Sequence, residues 1–113
     1  MEKLDRQPSR IVCNENGLTI TFSDPSQPNA FLAWDKVDAV IAYKQDIYTM
    51  DQIRLGFVTT GGTIVVTEDM QGWDELVQQL PIRLPNALSF SEWWERVAQP
   101  PFALSLTTLY KRV

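Results

Sequence analysis

The chain changes hydrophobic period once, near residue 70. Up to Asp69 its apolar residues fall at alternate positions in short runs, and from Trp73 onward they recur at i, i+3, i+4 and i+7. Alternation is the pattern of half-buried strands, and the 3.6-residue period is that of helices with one apolar face. About six strands followed by two amphipathic helices predict an α+β domain. Its form is a mostly antiparallel sheet or partly open barrel, with the helices packed on one side or end. With 113 residues the chain has the size of one domain. No internal repeat or linker divides it, and residues 1–9 are expected to form a flexible N-terminus.

Turn signals place the strands. Ile11–Cys13 and Leu18–Phe22 flank Glu15-Asn16-Gly17, and an Asn-Gly pair suits a type I′ hairpin, which would set Cys13 opposite Ile20 and Ile11 opposite Phe22. A Pro-rich loop, 23–29, leads to Phe31–Trp34 and Val37–Tyr43, with a bend at Asp35-Lys36. Gln45 to Asp51 is expected to be a longer loop. Ile53–Thr60 and Thr63–Asp69 flank Gly61-Gly62, a second hairpin signal, with Phe57 expected opposite Val66 and Arg54 opposite Asp69. Glu68 stands out because it falls on the apolar face of that hairpin.

The helical stripes are Trp73, Leu76, Val77 and Leu80, with Pro81 as the expected stop, and Phe90, Trp93, Trp94 and Val97, stopped by Pro100-Pro101. Asp69 is expected to start or cap the first helix. Ser89 and Glu92 have the spacing of a capping box, flanked by Leu88 and Trp93 as a hydrophobic staple. Phe102–Val113 fits either a last strand or a short helix.

Composition removes several function classes. The chain has no histidine and one cysteine, so a Ser-His-Asp or Cys-His nucleophile and an internal disulfide are excluded. The net charge is -4, and between Asp35 and Glu95 ten acidic residues face four basic ones. An acidic body repels phosphate backbones and anionic lipid, which argues against nucleic-acid or membrane binding and favours a basic partner. No apolar run approaches the roughly 20 residues of a membrane span, and no signal-peptide core is visible, so a cytoplasmic location is expected. No P-loop, Gly-x-Gly-x-x-Gly or Cys-x-x-Cys motif is present, and neither a cofactor nor a metal is implied.

Three candidate sites follow. Lys44, Asp46, Tyr48 and Asp51 combine an aromatic side chain with alternating charges in the expected loop region, the composition of interface hot spots, and are assigned to partner binding. The alternative there is a solvated strand face for Lys44 and Asp46, with Tyr43 turned to the core. Trp34, Tyr43 and Glu68 could line a small-ligand pocket between sheet and helices. Glu68 with Asp69, Asp46 or Asp51 is the remaining acid–base pair, against which stands the simpler reading of strand-end and helix-start acids. Trp73, Trp93 and Trp94 are expected in the core, as is Cys13.

Two resemblances bear on the fold. Gly17-Leu18-Thr19-Ile20-Thr21-Phe22 followed by Trp34-Asp35-x-Val37-x-x-Val40 resembles the opening of bacterial pleckstrin-homology-like domains, in which strands curl into a partly open barrel capped by a helix. Across most of its length the chain resembles small, uncharacterised bacterial single-domain proteins. The shared residues include Ala42-Tyr43-Lys44-x-Asp46, Asp51-x-Ile53-x-Leu55-x-Phe57, Gly72-Trp73, Leu80-Pro81 and Trp93-Trp94. The first hairpin loop, Asn14-Glu15-Asn16-Gly17, lacks the basic residues of phosphoinositide binders, and Trp73–Leu80 is an additional helix. Small acidic proteins of this sort are often immunity partners of secreted toxins. The resulting expectation is a non-enzymatic protein-interaction module, of immunity or adaptor type. A small-ligand regulatory module is the alternative, and a carboxylate hydrolase a third reading.

Overall fold

Alternation before residue 70 and helical spacing after it both appear where the sequence puts them. The computed structural model describes residues 10–22, 26, 28–47, 50–98 and 106–112. Its strands are β1 (Arg10–Cys13), β2 (Gly17–Thr21), β3 (Ala30–Ala33), β4 (Ala39–Ile47), β5 (Met50–Thr59), β6 (Gly62–Thr67) and β7 (Thr107–Lys111). Helix α1 is Trp73–Arg83 and α2 is Phe90–Ala98, and a single 3-10 turn, Trp34–Lys36, separates β3 from β4. The strands form two open antiparallel sheets, ordered β1-β2-β3 and β6-β5-β4-β7, rather than one sheet or a closed barrel.

The tail resolves as a strand. β7 pairs with β4 through a bulge that leaves Leu109 without a Cα partner between Val40 and Ile41, and this residue turns into the core. Arg112 then holds the strand's end. Its backbone N–H donates to the Asp38 carbonyl at 2.7 Å and its guanidinium to the Val37 carbonyl at 2.8 Å.

Both hairpins are displaced by two residues from the expected register, for the same reason. Ile11 faces Ile20 and Cys13 faces Leu18, and in the second hairpin Leu55 faces Val66 and Phe57 faces Ile64. Each turn is built by a side-chain oxygen ahead of the glycine. Asn14 Oδ1 accepts from the Asn16 and Gly17 N–H groups at 2.8 and 3.2 Å. Thr59 Oγ1 accepts from the Gly61 N–H at 3.1 Å and donates to the Gly62 carbonyl at 2.9 Å. Such Asx and Ser/Thr turns move the loop one residue toward the N-terminus, to Glu15-Asn16 and Thr60-Gly61. A shift of two preserves which face each side chain takes, so Ile11, Leu18, Ile20, Leu55, Phe57 and Val66 are all buried as the alternation requires.

Four further differences follow. Residues 45–51 are not a long loop: β4 runs to Ile47 and β5 begins at Met50, with Asp46 and Asp51 as Cα partners. Pairing between two inner strands overrides a composition poor in β-formers. Helix α1 continues through Pro81 to Arg83. Proline there removes one N–H in the last turn, which the Leu84 N–H still closes on the Leu80 carbonyl at 2.8 Å. The α1 N-cap is Gly72 at φ 93°, not Asp69, whose carboxylate accepts instead from Thr67 Oγ1 and from Gln52 Nε2 at 3.2 Å. Arg54 does not face Asp69 but pairs with Thr67 in register and donates to Gln52 Oε1 at 2.9 Å.

One core joins both sheets and both helices: Ile11, Leu18, Ile20 and Leu32 from the first sheet meet Val40, Leu55, Phe57 and Val66 from the second, with Leu76, Leu80, Trp93 and Val97 above them. No described helix is long and apolar enough to cross a membrane.

Two glycines stand where backbones nearly touch. A Cβ on Gly17 would lie 2.1 Å from the Leu32 carbonyl oxygen, and one on Gly72 would lie 2.0 Å from that of Ile11. Gly17→Ala and Gly72→Ala should therefore each cost about 3 kcal/mol or more. Gly62→Ala meets open space and carries only the strain of its φ of 137°. Urea unfolding of the three variants should rank Gly72→Ala as the most destabilising and Gly62→Ala as the least; equal effects would contradict the close approaches.

Candidate functional site

The residues assigned to partner binding are distributed along β4 and β5. Lys44 lies on the same face of β4 as Val40 and Ala42, is only 5% exposed and has Ile53 as its Cα partner. Its long alkyl stem makes such burial possible. The expected solvated strand face is thus inverted at this position, and Lys44 is not available as a surface contact. Asp46 and Asp51 are brought opposite each other near the end of the β4–β5 hairpin, and Tyr48 lies outside the described residues.

The three ligand-lining candidates lie in different settings, and none lines either of the hollows described below. Trp34 is buried, with its indole N–H donating to the Asn14 carbonyl at 2.8 Å and its backbone N–H to the Asn16 carbonyl at 3.2 Å. It is a core residue that clamps the first hairpin turn. Tyr43 is half-buried on the face of β4 opposite Val40 and Ala42, with Arg54 as its partner, and so faces away from the core. Glu68 follows β6 in a turn, half-buried, its N–H donating to the Ile53 carbonyl at 3.0 Å.

The surface that sequence reasoning missed is formed by the helices. Of the α2 stripe, Trp93 and Val97 are fully buried, whereas Phe90 is 39% and Trp94 38% exposed. The pair Trp93-Trp94 holds the same i+3 and i+4 places as Leu76-Val77 of α1, which are both buried, so the spacing carried no signal that Trp94 would stay exposed. The Phe90 ring packs edge-on against Trp93 and at 31° to Trp94, with centroids 5.1 Å apart in both cases. Beside it, Trp73, Asp74, Val77 and Gln78 of α1 complete an open trough of about 230 Å³. The Asp74 carboxylate and the Gln78 amide take part in no hydrogen bond or ion pair within the described chain.

Capping fixes the α2 end of this trough. The Ser89 N–H donates to Glu92 Oε1 at 2.7 Å, the glutamate half of the expected capping box, while the Glu92 N–H donates to the Ser89 backbone carbonyl at 2.9 Å and the Ser89 hydroxyl lies 3.2 Å from that of Ser91. That bond to the ionised carboxylate holds Glu92 below its ordinary value. The Leu88 N–H donates to the Leu109 carbonyl at 2.9 Å, tying the helix start to β7.

A second hollow of about 260 Å³ lies between β1 and the start of α1, lined by Arg10, Ile11, Val12, Cys13, Gln71, Gly72 and Glu75. Burial, reinforced by the Glu75 charge, pushes the Cys13 thiol up from 9.0 to about 11. No group of three or more Cys, Asp or Glu side chains among the described residues is arranged to hold a metal ion. No family model matches the chain, and neither the curated proteins nor the solved structures yield a significant match.

The raised thiol value has a direct consequence. The thiolate is the reactive form, and a two-unit rise leaves about a hundredfold less of it at pH 8. Cys13 should react with a disulfide reagent at least about tenfold more slowly in the folded protein than in urea, the greater nucleophilicity of a high-pKa thiolate offsetting part of its scarcity; equal rates would show an accessible, ordinary thiol.

Proposed function

We propose that this chain is a protein-interaction module, without catalytic chemistry of its own, that binds a basic partner. The observation that carries this reading is the Phe90–Trp94 aromatic pair, left exposed on a capped helix beside the free Asp74 carboxylate. Exposed aromatic residues on a rigid element supply interface energy at low entropic cost, and the acidic rim supplies orientation and encounter rate. The net charge of -4 favours a partner of opposite sign. We place this reading ahead of a small-ligand role because the aromatic pair is exposed beside an acid, the pattern of a protein contact.

An immunity-type or adaptor role in the cytoplasm is the biological form we attach to this function. The relationship to pleckstrin-homology-like domains is likewise proposed, on the β1–β3 strand pattern. The helical face takes precedence over the β4–β5 hairpin as the contact surface, because Lys44 is buried while Phe90 and Trp94 are open.

Capture from native lysate at low and moderate salt tests this reading, comparing wild type, Trp94→Ser and an Asp46→Lys/Asp51→Lys double variant. The expected result is a stoichiometric partner that elutes with salt from wild type and from the double variant but is absent from Trp94→Ser. Loss with the double variant alone would move the contact to the hairpin. A partner indifferent to salt, or none at all, would contradict the proposal.

A further inference from the structure

We infer that the trough between α1 and α2 is a receptor for a single arginine side chain presented by a protein partner, with Asp74 as its counter-charge. This inference rests on the interaction-module reading above and names the group that it recognises.

The trough has two kinds of wall. Trp73, Val77 and Phe90 are apolar, and Asp74 and Gln78 carry polar groups with no hydrogen-bond or ion-pair partner among the described residues. Such a mixture matches an amphipathic cation, whose stem packs on hydrocarbon and whose head needs an acceptor. An arginine fits this combination better than a lysine: its planar guanidinium stacks on aromatic rings and offers a carboxylate two parallel N–H donors. The Gln78 side-chain oxygen is a further acceptor. At about 230 Å³ the trough is too small for a drug-sized molecule but has room for one long side chain.

The receptor is also held in place before binding. Phe90 is braced by Trp93 and Trp94, and the capping box anchors the turn that carries it. Trp73 is buried against the core on its other side. Ordering costs at the site are correspondingly small, which favours binding by so few groups.

The neighbouring acid supplies an internal control. Glu75 lies in the same first turn as Asp74 and carries the same charge, but it lines the other hollow, near Cys13. General attraction of a cation to an acidic protein would respond equally to either residue, whereas a built receptor responds to Asp74.

Nuclear magnetic resonance of the full chain tests the inference with three short peptides that differ only in a central arginine, lysine or citrulline. The arginine peptide should move the Trp73 indole N–H and the backbone amides of Asp74, Gln78 and Phe90. The citrulline peptide, which keeps the shape and loses the charge, should bind about tenfold more weakly, the loss of one charge-assisted contact. Asp74→Asn should weaken the arginine peptide by a similar factor, whereas Glu75→Gln should change it by less than about twofold.

Equal binding of the lysine peptide would overturn the arginine assignment. Shifts confined to another acidic surface would overturn the trough and leave the basic-partner reading standing. Concentration-dependent shifts of Phe90 and Trp94 without peptide would assign the face to a second copy of the chain. No shift with either cationic peptide would overturn both the inference and the reading beneath it.

Discussion

The fold depends on one backbone junction. The Ile11 N–H donates to the Gln71 carbonyl at 2.7 Å, Arg10 pairs in parallel with Gln71, and the Arg10 guanidinium holds Gln71 Oε1 at 3.1 Å. Directly after it, Gly72 passes so close to the Ile11 carbonyl that no side chain fits between them. This contact sets the start of α1 against β1, although the two are 60 residues apart in the chain. From there the helical period does the rest: Trp73, Leu76, Val77 and Leu80 turn inward to close the core over both sheets, and Asp74 and Gln78 are carried to the side where Phe90 stands. The proposed receptor is therefore a consequence of where the junction starts the helix.

Much of this arrangement was legible because periodicity reports faces rather than partners. A two-residue register slip in each hairpin left every core side chain on its correct face, since strand alternation repeats every two residues. The slips came from Asn14 and Thr59, whose side-chain oxygens build turns that glycine-centred reasoning overlooks. Other misses share a cause in burial. Lys44 looked solvated by composition but sits on the buried face of an inner strand, and Gln45, Asp46 and Asp51 were drawn into the pairing of β4 with β5. Pro81 falls in the last turn of α1, where one lost N–H is tolerated, and the Asp69 carboxylate is taken by Thr67 and Gln52 rather than by the helix start.

The functional surface was hidden by the same averaging. A four-residue apolar stripe on α2 reads as one core face, yet a short helix lying on β4 and β7 can bury only part of it. Trp93 and Val97 take the buried positions, and Phe90 and Trp94 remain exposed. The residues expected to gather around a ligand were instead separated, Trp34 into the core, Tyr43 onto the far face and Glu68 into a turn. What the structure does collect is the Trp73 and Phe90 rings beside the Asp74 carboxylate, the arrangement on which the proposed cation receptor rests.

Hydrogen exchange at a single amide tests the junction most directly. The Ile11 N–H has the Gln71 carbonyl as its partner and so reports that contact rather than the β1–β2 ladder. If the junction holds the sheets and helices together as one cooperative body, this amide should exchange only through global unfolding, with the same denaturant dependence as the amides of Leu55 and Leu76. Exchange at loop-like rates, or through a partial opening of β1 to β3, would contradict the account.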